Sequence, residues 1–137
     1  MADFYSEIAS YLDDEGVGTY ESETGRNIFR NRLPATPDDA LAIFAIPGSQ
    51  VPIGSRDVST LQFPRFQIIV RSVSYDDGAD MLAAVRTALH AKNDITLPNW
   101  RVLKCMADQE GGPIGHDDQN RNEFAINFSA EINAETA

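Results

Sequence analysis

From Asn122 onward a row of apolar side chains recurs at every second position: Phe124, Ile126, Phe128, Ala130 and Ile132. Glu123, Asn127, Ser129 and Glu131 fall on the other parity. A period of two is that of a β-strand whose successive side chains point to opposite faces. A strand this long, with one apolar and one polar side, is not stable alone. It needs neighbouring strands for its backbone groups and a second layer over its apolar row. The rest of the chain must supply both.

Two segments have the helical period needed for that cover. Phe4, Ile8, Tyr11 and Leu12 lie at i, i+4, i+7 and i+8, one face of a helix. Asp3 and Glu7 suit its N-terminal dipole, Gly16 is a plausible stop, and Asp13, Asp14 and Glu15 oppose the dipole at its last turn. The second helix starts at Ser74 or Asp76, which offer capping oxygens, with Asp76, Asp77 and Asp80 at its first turn. Leu82, Val85 and Leu89 continue its apolar stripe among alanines, and Asn93 and Pro98 mark its exit.

Four further segments supply strands. Residues 19–32 read as a long two-sided strand, or a strand with a hairpin projecting around Glu23-Thr24-Gly25. Pro34 and Pro37 break the chain before the continuous apolar run 40–46, a buried strand ended by Pro47-Gly48. Residues 47–62, with two prolines and two glycines, read as a flexible surface loop. Phe63 to Val73 is a strand whose Pro64 restricts its first part, and 100–107 is another. Gly111-Gly112-Pro113 opens a loop through Asn120, and a loose tail is expected over 133–137. The expectation is an α+β fold: a mostly antiparallel sheet with two helices packed on one face, in the order α-β-β-β-α-β-β. At 137 residues this is the size of one domain, and no internal repeat or boundary divides it.

The net charge of −10 is partitioned. Residues 1–25 carry −7, residues 26–104 carry +3, and residues 105–137 carry −6. So acidic a chain is a poor general binder of nucleic acid, because phosphate binding rests on Lys and Arg. No apolar run approaches the ~18 residues of a membrane span, and Met1-Ala2-Asp3-Phe4 lacks the start of a signal peptide. One cysteine, Cys105, excludes an internal disulfide and suits a reducing compartment. Its place in a strand pattern favours packing over reactivity.

Catalytic and metal-binding patterns are weak. Asp76, Asp77 and Asp80 lack the alternating ligands and distal Glu of a calcium loop, and capping explains them. His116-Asp117-Asp118 has no second His or Cys nearby to complete a zinc site and reads as a polar turn. His90 ends a helix, where a cationic side chain is favourable. Neither Gly-x-Ser-x-Gly nor a phosphate-binding Gly-x-x-x-x-Gly-Lys is present. The expectation is a non-enzyme with no catalytic residue, metal or cofactor. Trp100 and Tyr75 fit either the core or an interface. Arg26, Arg30 and Arg32 share a parity, interrupted by Ile28. They form either a solvated face or, with Phe29 and Tyr20, a subunit interface meeting the acidic N-terminal segment of a neighbour.

The linear order of these pieces resembles a family of tailed-phage minor capsid or tail-completion proteins. The likeness rests on Ile8-Ala9-x-Tyr11-Leu12, Gly16-Val17-Gly18-Thr19, Asn27-Ile28-Phe29, Leu33-Pro34-x-x-Pro37-Asp38, Ala42-Ile43-Phe44 and Pro47-Gly48. It continues through Phe63-Pro64-Arg65-Phe66-Gln67-Ile68-Ile69-Val70-Arg71, Ser74-Tyr75-Asp76-Asp77, Trp100-Arg101-Val102-Leu103, Gly115-His116-Asp117-Asp118 and Arg121-x-Glu123-Phe124-x-Ile126-Asn127-Phe128. Each piece alone is only a strand or turn pattern. Where the family would place a glycine before Arg121, this chain has Asn120, which tolerates the same left-handed turn.

The resemblance implies a tail terminator-like structural protein of the virion, assembled in the host cytoplasm. It would form a ring, by analogy a hexamer, that caps the tail tube at the head-tail junction. Its partners would be itself, the tail tube protein and the head-tail connector or stopper. Genomic DNA would pass through an acidic lumen without specific binding, and no membrane is involved. Other readings are a stopper or minor head component, a small ligand-binding module using the sheet face or the 47–62 flap, and a metal-dependent hydrolase built on Asp76, Asp77, Asp117 or Asp118.

Overall fold

The computed structural model describes residues 4–22, 24–46 and 61–134. Its elements are α1 (Phe4–Asp14), β1 (Ile28–Arg30), β2 (Ala40–Ile46), β3 (Leu61–Gln62), β4 (Arg65–Ser72), α2 (Tyr75–Leu89), β5 (Ile95–Thr96), β6 (Trp100–Ala107), β7 (Gly112–His116) and β8 (Asn122–Ala134). The fold is α+β, in the expected order, with the short strands β3, β5 and β7 interpolated.

The alternating strand is the spine of the sheet. Along one edge β8 pairs antiparallel with β4 and then β3; along the other it pairs antiparallel with β7 and then β6. Each flank is thus a broken strand laid against one continuous partner. β2 adds antiparallel to β4, β1 adds parallel to β2, and β5 adds to β6, giving the path β1-β2-β4-β8-β6-β5. Among the described residues only the β1–β2 pair is parallel.

The apolar row behaves as its period requires. Phe124, Ile126, Phe128, Ala130 and Ile132 are all buried, and so are Phe66, Ile68 and Val70, which β4 presents beside them in register. Both helices lie on this face. Phe4 and Tyr5 of α1 meet Phe66 edge-on, and Phe66 stacks on Phe128 with centroids 5.3 Å apart. Tyr75 of α2 tilts against Phe124, and Gly78 passes directly over that ring. Tyr11 Oη donates to the Ala88 carbonyl at 3.0 Å, tying the two helices together. Each large side chain so buried contributes roughly 1.5–3 kcal/mol.

Several local expectations need correcting. Segment 19–32 is not a long strand; among its described residues only Ile28–Arg30 joins the sheet. Positive φ at Gly25 and Asn31 turns the backbone out of line at both ends, and the Asn27 side chain accepts the Thr19 N–H in place of a ladder bond. Glu23, part of the suspected hairpin, lies outside the described residues.

Residues 47–60 of the expected loop also lie outside them, but Leu61–Gln62 is strand, paired with Ile132 and Asn133. Phe63 and Pro64 then separate β3 from β4, so the strand starts at Arg65 rather than Phe63. The loop expected from Gly111 contains β7, whose Gly-Pro-x-Gly composition hides it. Composition loses there because β8 offers a ready line of backbone partners. The expected loose tail starts later, since Asn133 and Ala134 are still in β8, and residues 135–137 lie outside the description.

Acidic residues of α1 have uses other than the helix dipole. Glu7 is 4% exposed and its carboxylate receives the backbone N–H and the side-chain amide of Asn99, at 2.8 and 2.7 Å. Asp13 accepts the N–H groups of Tyr20 and Glu21, both at 2.9 Å, fastening the chain that leaves the helix. These bonds to the charged form hold the Asp13 carboxyl below its ordinary value.

Candidate subunit interface

The β1 edge gathers the basic residues singled out in the sequence. Asp13 fixes Tyr20 from one side, and the Thr19 carbonyl receives the N–H groups of Asn27 and Ile28 at 3.0 and 3.2 Å. The chain thus doubles back so that Arg26 lies over the Tyr20 ring, its guanidinium carbon 5.0 Å from the centroid. Ile28 anchors the strand in the core, fully buried. Phe29 is half-buried and Arg30 exposed.

At Asn31 φ is 58°, its N–H donates to the Ile43 carbonyl at 2.7 Å, and its side-chain oxygen accepts from Ala45 at 3.2 Å. That turn ends the strand and delivers Arg32. Alternation therefore does not align the three arginines. A bend does, and Tyr20, Arg26, Phe29, Arg30 and Arg32 together line one shallow depression of about 160 Å³. The Arg26 Nε is buried with no hydrogen-bond partner among the described residues.

The other candidates are placed differently. Ser74 caps α2, its side chain accepting the Asp77 N–H at 3.3 Å, and Asp76 and Asp77 occupy the first turn. Asp117 accepts the N–H groups of Gln119 and Arg121, and its second oxygen lies 2.8 Å from Arg121 Nε. The backbone N–H of Arg121 and its guanidinium hold that carboxyl below its ordinary value. Arg121 also reaches the Ala35 carbonyl at 2.6 Å and Asp38 at 3.1 Å. Arg71 beside it donates to the Pro37 and Asp38 carbonyls.

Two buried arginines therefore fasten the turn before β2, Arg121 to the turn before β8 and Arg71 to β4. Burial, and then the neighbouring Arg121, lower the pKa of Arg71. Sequence reasoning missed this pair. The one available signal was the isolation of Arg121 as the single base among residues 105–137. Among the described residues no three His, Cys, Asp or Glu side chains converge on a metal position.

Cys105 is buried and its thiol is pushed up to about 12, by burial first and Asp108 second. His90 closes α2, its Nδ1 accepting the Ala107 N–H at 3.0 Å. Trp100 packs half-buried against the core, and Tyr75 is 51% exposed. Asn120 has φ 62°, the left-handed turn expected of it.

Solved structures with this fold include a chain in the virion of a native gene transfer agent particle. It superposes with a TM-score of 0.58 at 13% identity, over 96% of this chain and 99% of that one. A second solved chain superposes with a TM-score of 0.55 at 10% identity, over 98% and 92%. Comparison with curated protein sequences returned no match. A family profile described as bacteriophage tail terminator protein matches residues 11–134. That match takes in every described element except the first turns of α1, and the chain belongs to the bacteriophage tail terminator family.

Proposed function

We propose that the protein closes a phage tail: copies associate into a ring that caps the tail tube and joins it to the head-tail connector. Membership of the terminator family, which makes the chain a structural protein of the phage tail, is the observation that carries this reading. The basic depression at the β1 edge supports it as one of two unlike surfaces. Closed rings use heterologous contacts, in which two different patches of one subunit meet. We take Arg26, Arg30, Arg32, Phe29 and Tyr20 as the residues of one such patch, and six copies as the expected ring. A chain carrying −10 overall would repel DNA passing through the lumen.

The test is solution mass together with negative-stain imaging of the purified protein, alone and mixed with tail tubes and connectors. Rings, free or seated on tube ends, are expected. A protein that stays monomeric and binds neither tubes nor connectors would refute the proposal.

A further inference from the structure

The sheet register places a second distinctive edge directly across from β1. Ile28 pairs with Leu41, Leu41 with Val70, Val70 with Phe124, and Phe124 with Pro113. One rung therefore runs from β1 to β7, and at this level these are the two outer strands. Four strand spacings separate them, roughly 19 Å.

The β7 edge is unusual in what it exposes. Among the described residues the exposed large hydrophobics are Val73, Tyr75, Met106 and Ile114. Ile114 lies in β7 itself, at the bulge beside Pro113. Tyr75 lies against Phe124, the neighbour of Pro113 on the same rung, with ring centroids 5.1 Å apart. Val73 precedes Tyr75 by two residues. Beside this apolar group the first turns of α2 present Asp76, Asp77 and Asp80, all exposed.

We infer that this edge, Ile114 and Tyr75 with Asp76, Asp77 and Asp80, is the surface on which the β1 edge of a second copy docks. The inference rests on the ring reading above and names its missing half. Charge selects the occupant. Arg26, Arg30 and Arg32 meet three carboxylates, and Phe29 and Tyr20 meet exposed apolar side chains. A β1 edge facing another β1 edge would set three arginines against three, a like-charge contact that disfavours a two-fold dimer. Head-to-tail contact between opposite edges of one sheet repeats from copy to copy and closes when its rotation does.

The acidic N-terminal segment is the weaker candidate for this role. Glu7 is committed to Asn99 and Asp13 to the backbone of Tyr20 and Glu21. It also packs beside β1, on the same edge as the arginines.

The experiment uses two charge-reversed full-length chains: Arg26→Glu, Arg30→Glu, Arg32→Glu in one, and Asp76→Lys, Asp77→Lys, Asp80→Lys in the other. Each alone should self-associate at least tenfold more weakly than wild type by sedimentation. An equimolar mixture should recover assembly, because each altered edge then meets its complement. Ile114→Arg, which leaves α2 untouched, should also weaken association and serves if the lysine variant does not fold.

A mixture of folded variants that remains monomeric, or an Ile114→Arg chain that assembles like wild type, overturns the inference. If wild type forms rings in either of those cases, only this edge assignment is lost. If wild type itself neither associates nor binds tubes, the ring reading falls as well.

Discussion

Glu7 of α1 grips Asn99, 92 residues away, with both carboxylate oxygens: one takes the backbone N–H at 2.8 Å and the other the side-chain amide at 2.7 Å. Asn99 belongs to the turn that joins β5 to β6, where the Leu97 N–H also bonds the Trp100 carbonyl at 2.8 Å. The contact therefore locks the first helix of the chain to the far side of the sheet.

Glu7→Ala leaves two donors of Asn99 without their acceptor and is expected to cost about 2–3 kcal/mol. Glu7→Gln keeps one acceptor but turns an amide toward the Asn99 amide, so it should recover only part of the loss. Urea midpoints of the three proteins check this. Equal midpoints for wild type and Glu7→Ala would contradict it.

Gly78 is where α2 comes closest to the sheet. A Cβ there would lie 3.0 Å or less from two atoms of the Phe124 ring, which is 1% exposed and has no room to withdraw. Alanine is otherwise the better helix former by about 1 kcal/mol. Overpacking should outweigh that gain, so Gly78→Ala is expected to destabilise by about 1–2 kcal/mol net. In a double-mutant cycle with Phe124→Leu the penalty should shrink. A stabilised Gly78→Ala protein would mean that the helix shifts freely over the ring.

Asp117 is held below the ordinary carboxylate range by the backbone N–H and guanidinium of Arg121. A carboxyl depressed in the folded state contributes stability that is fully present above its unfolded value, about 4, and lost as pH falls through the lower folded value. Asp117→Asn should therefore melt lower than wild type at pH 7, and the gap should close below about pH 4. A gap that stays constant down to pH 2 would show that this carboxylate does not link folding to pH.

Cys105 should be chemically silent in the folded protein. With its thiol near 12, the thiolate at pH 8 is about one part in ten thousand. A disulfide reagent should label it only at the rate at which the protein opens, and fully within seconds in denaturant. Rapid labelling of native protein would place the thiol in solvent.

Elements whose signals are local can be read from their own residues. The alternation from Phe124 to Ile132 specified β8 and which of its sides is covered. Ser74 with the acids after it, and the stripe Leu82, Val85 and Leu89, specified α2. The unbroken apolar run 40–46 specified β2 to the residue. In each case the side chains of one short segment carry the period or the cap that the backbone needs. The three arginines were legible as a group because they are close in sequence, although the alternation that suggested a shared strand face is not what brings them together.

The remaining features depend on contacts between partners that are far apart in the chain. β7 exists because β8 offers it backbone hydrogen-bond partners, which the Gly-Pro-x-Gly composition does not announce. β1 stops at Arg30 because Asn31 bonds back to β2 and turns the chain, so a bend rather than a strand face brings Arg32 beside Arg26. Glu7, Arg71 and Arg121 are buried ions whose partners are Asn99, the 35–38 turn and Asp117, and in most of these pairs dozens of residues intervene. That β1 and β7 end the same rung follows from four pairings across five strands. A linear pattern has no term for where a strand's neighbour's neighbour lies, and the two edges became opposite surfaces of one sheet only when the register was set.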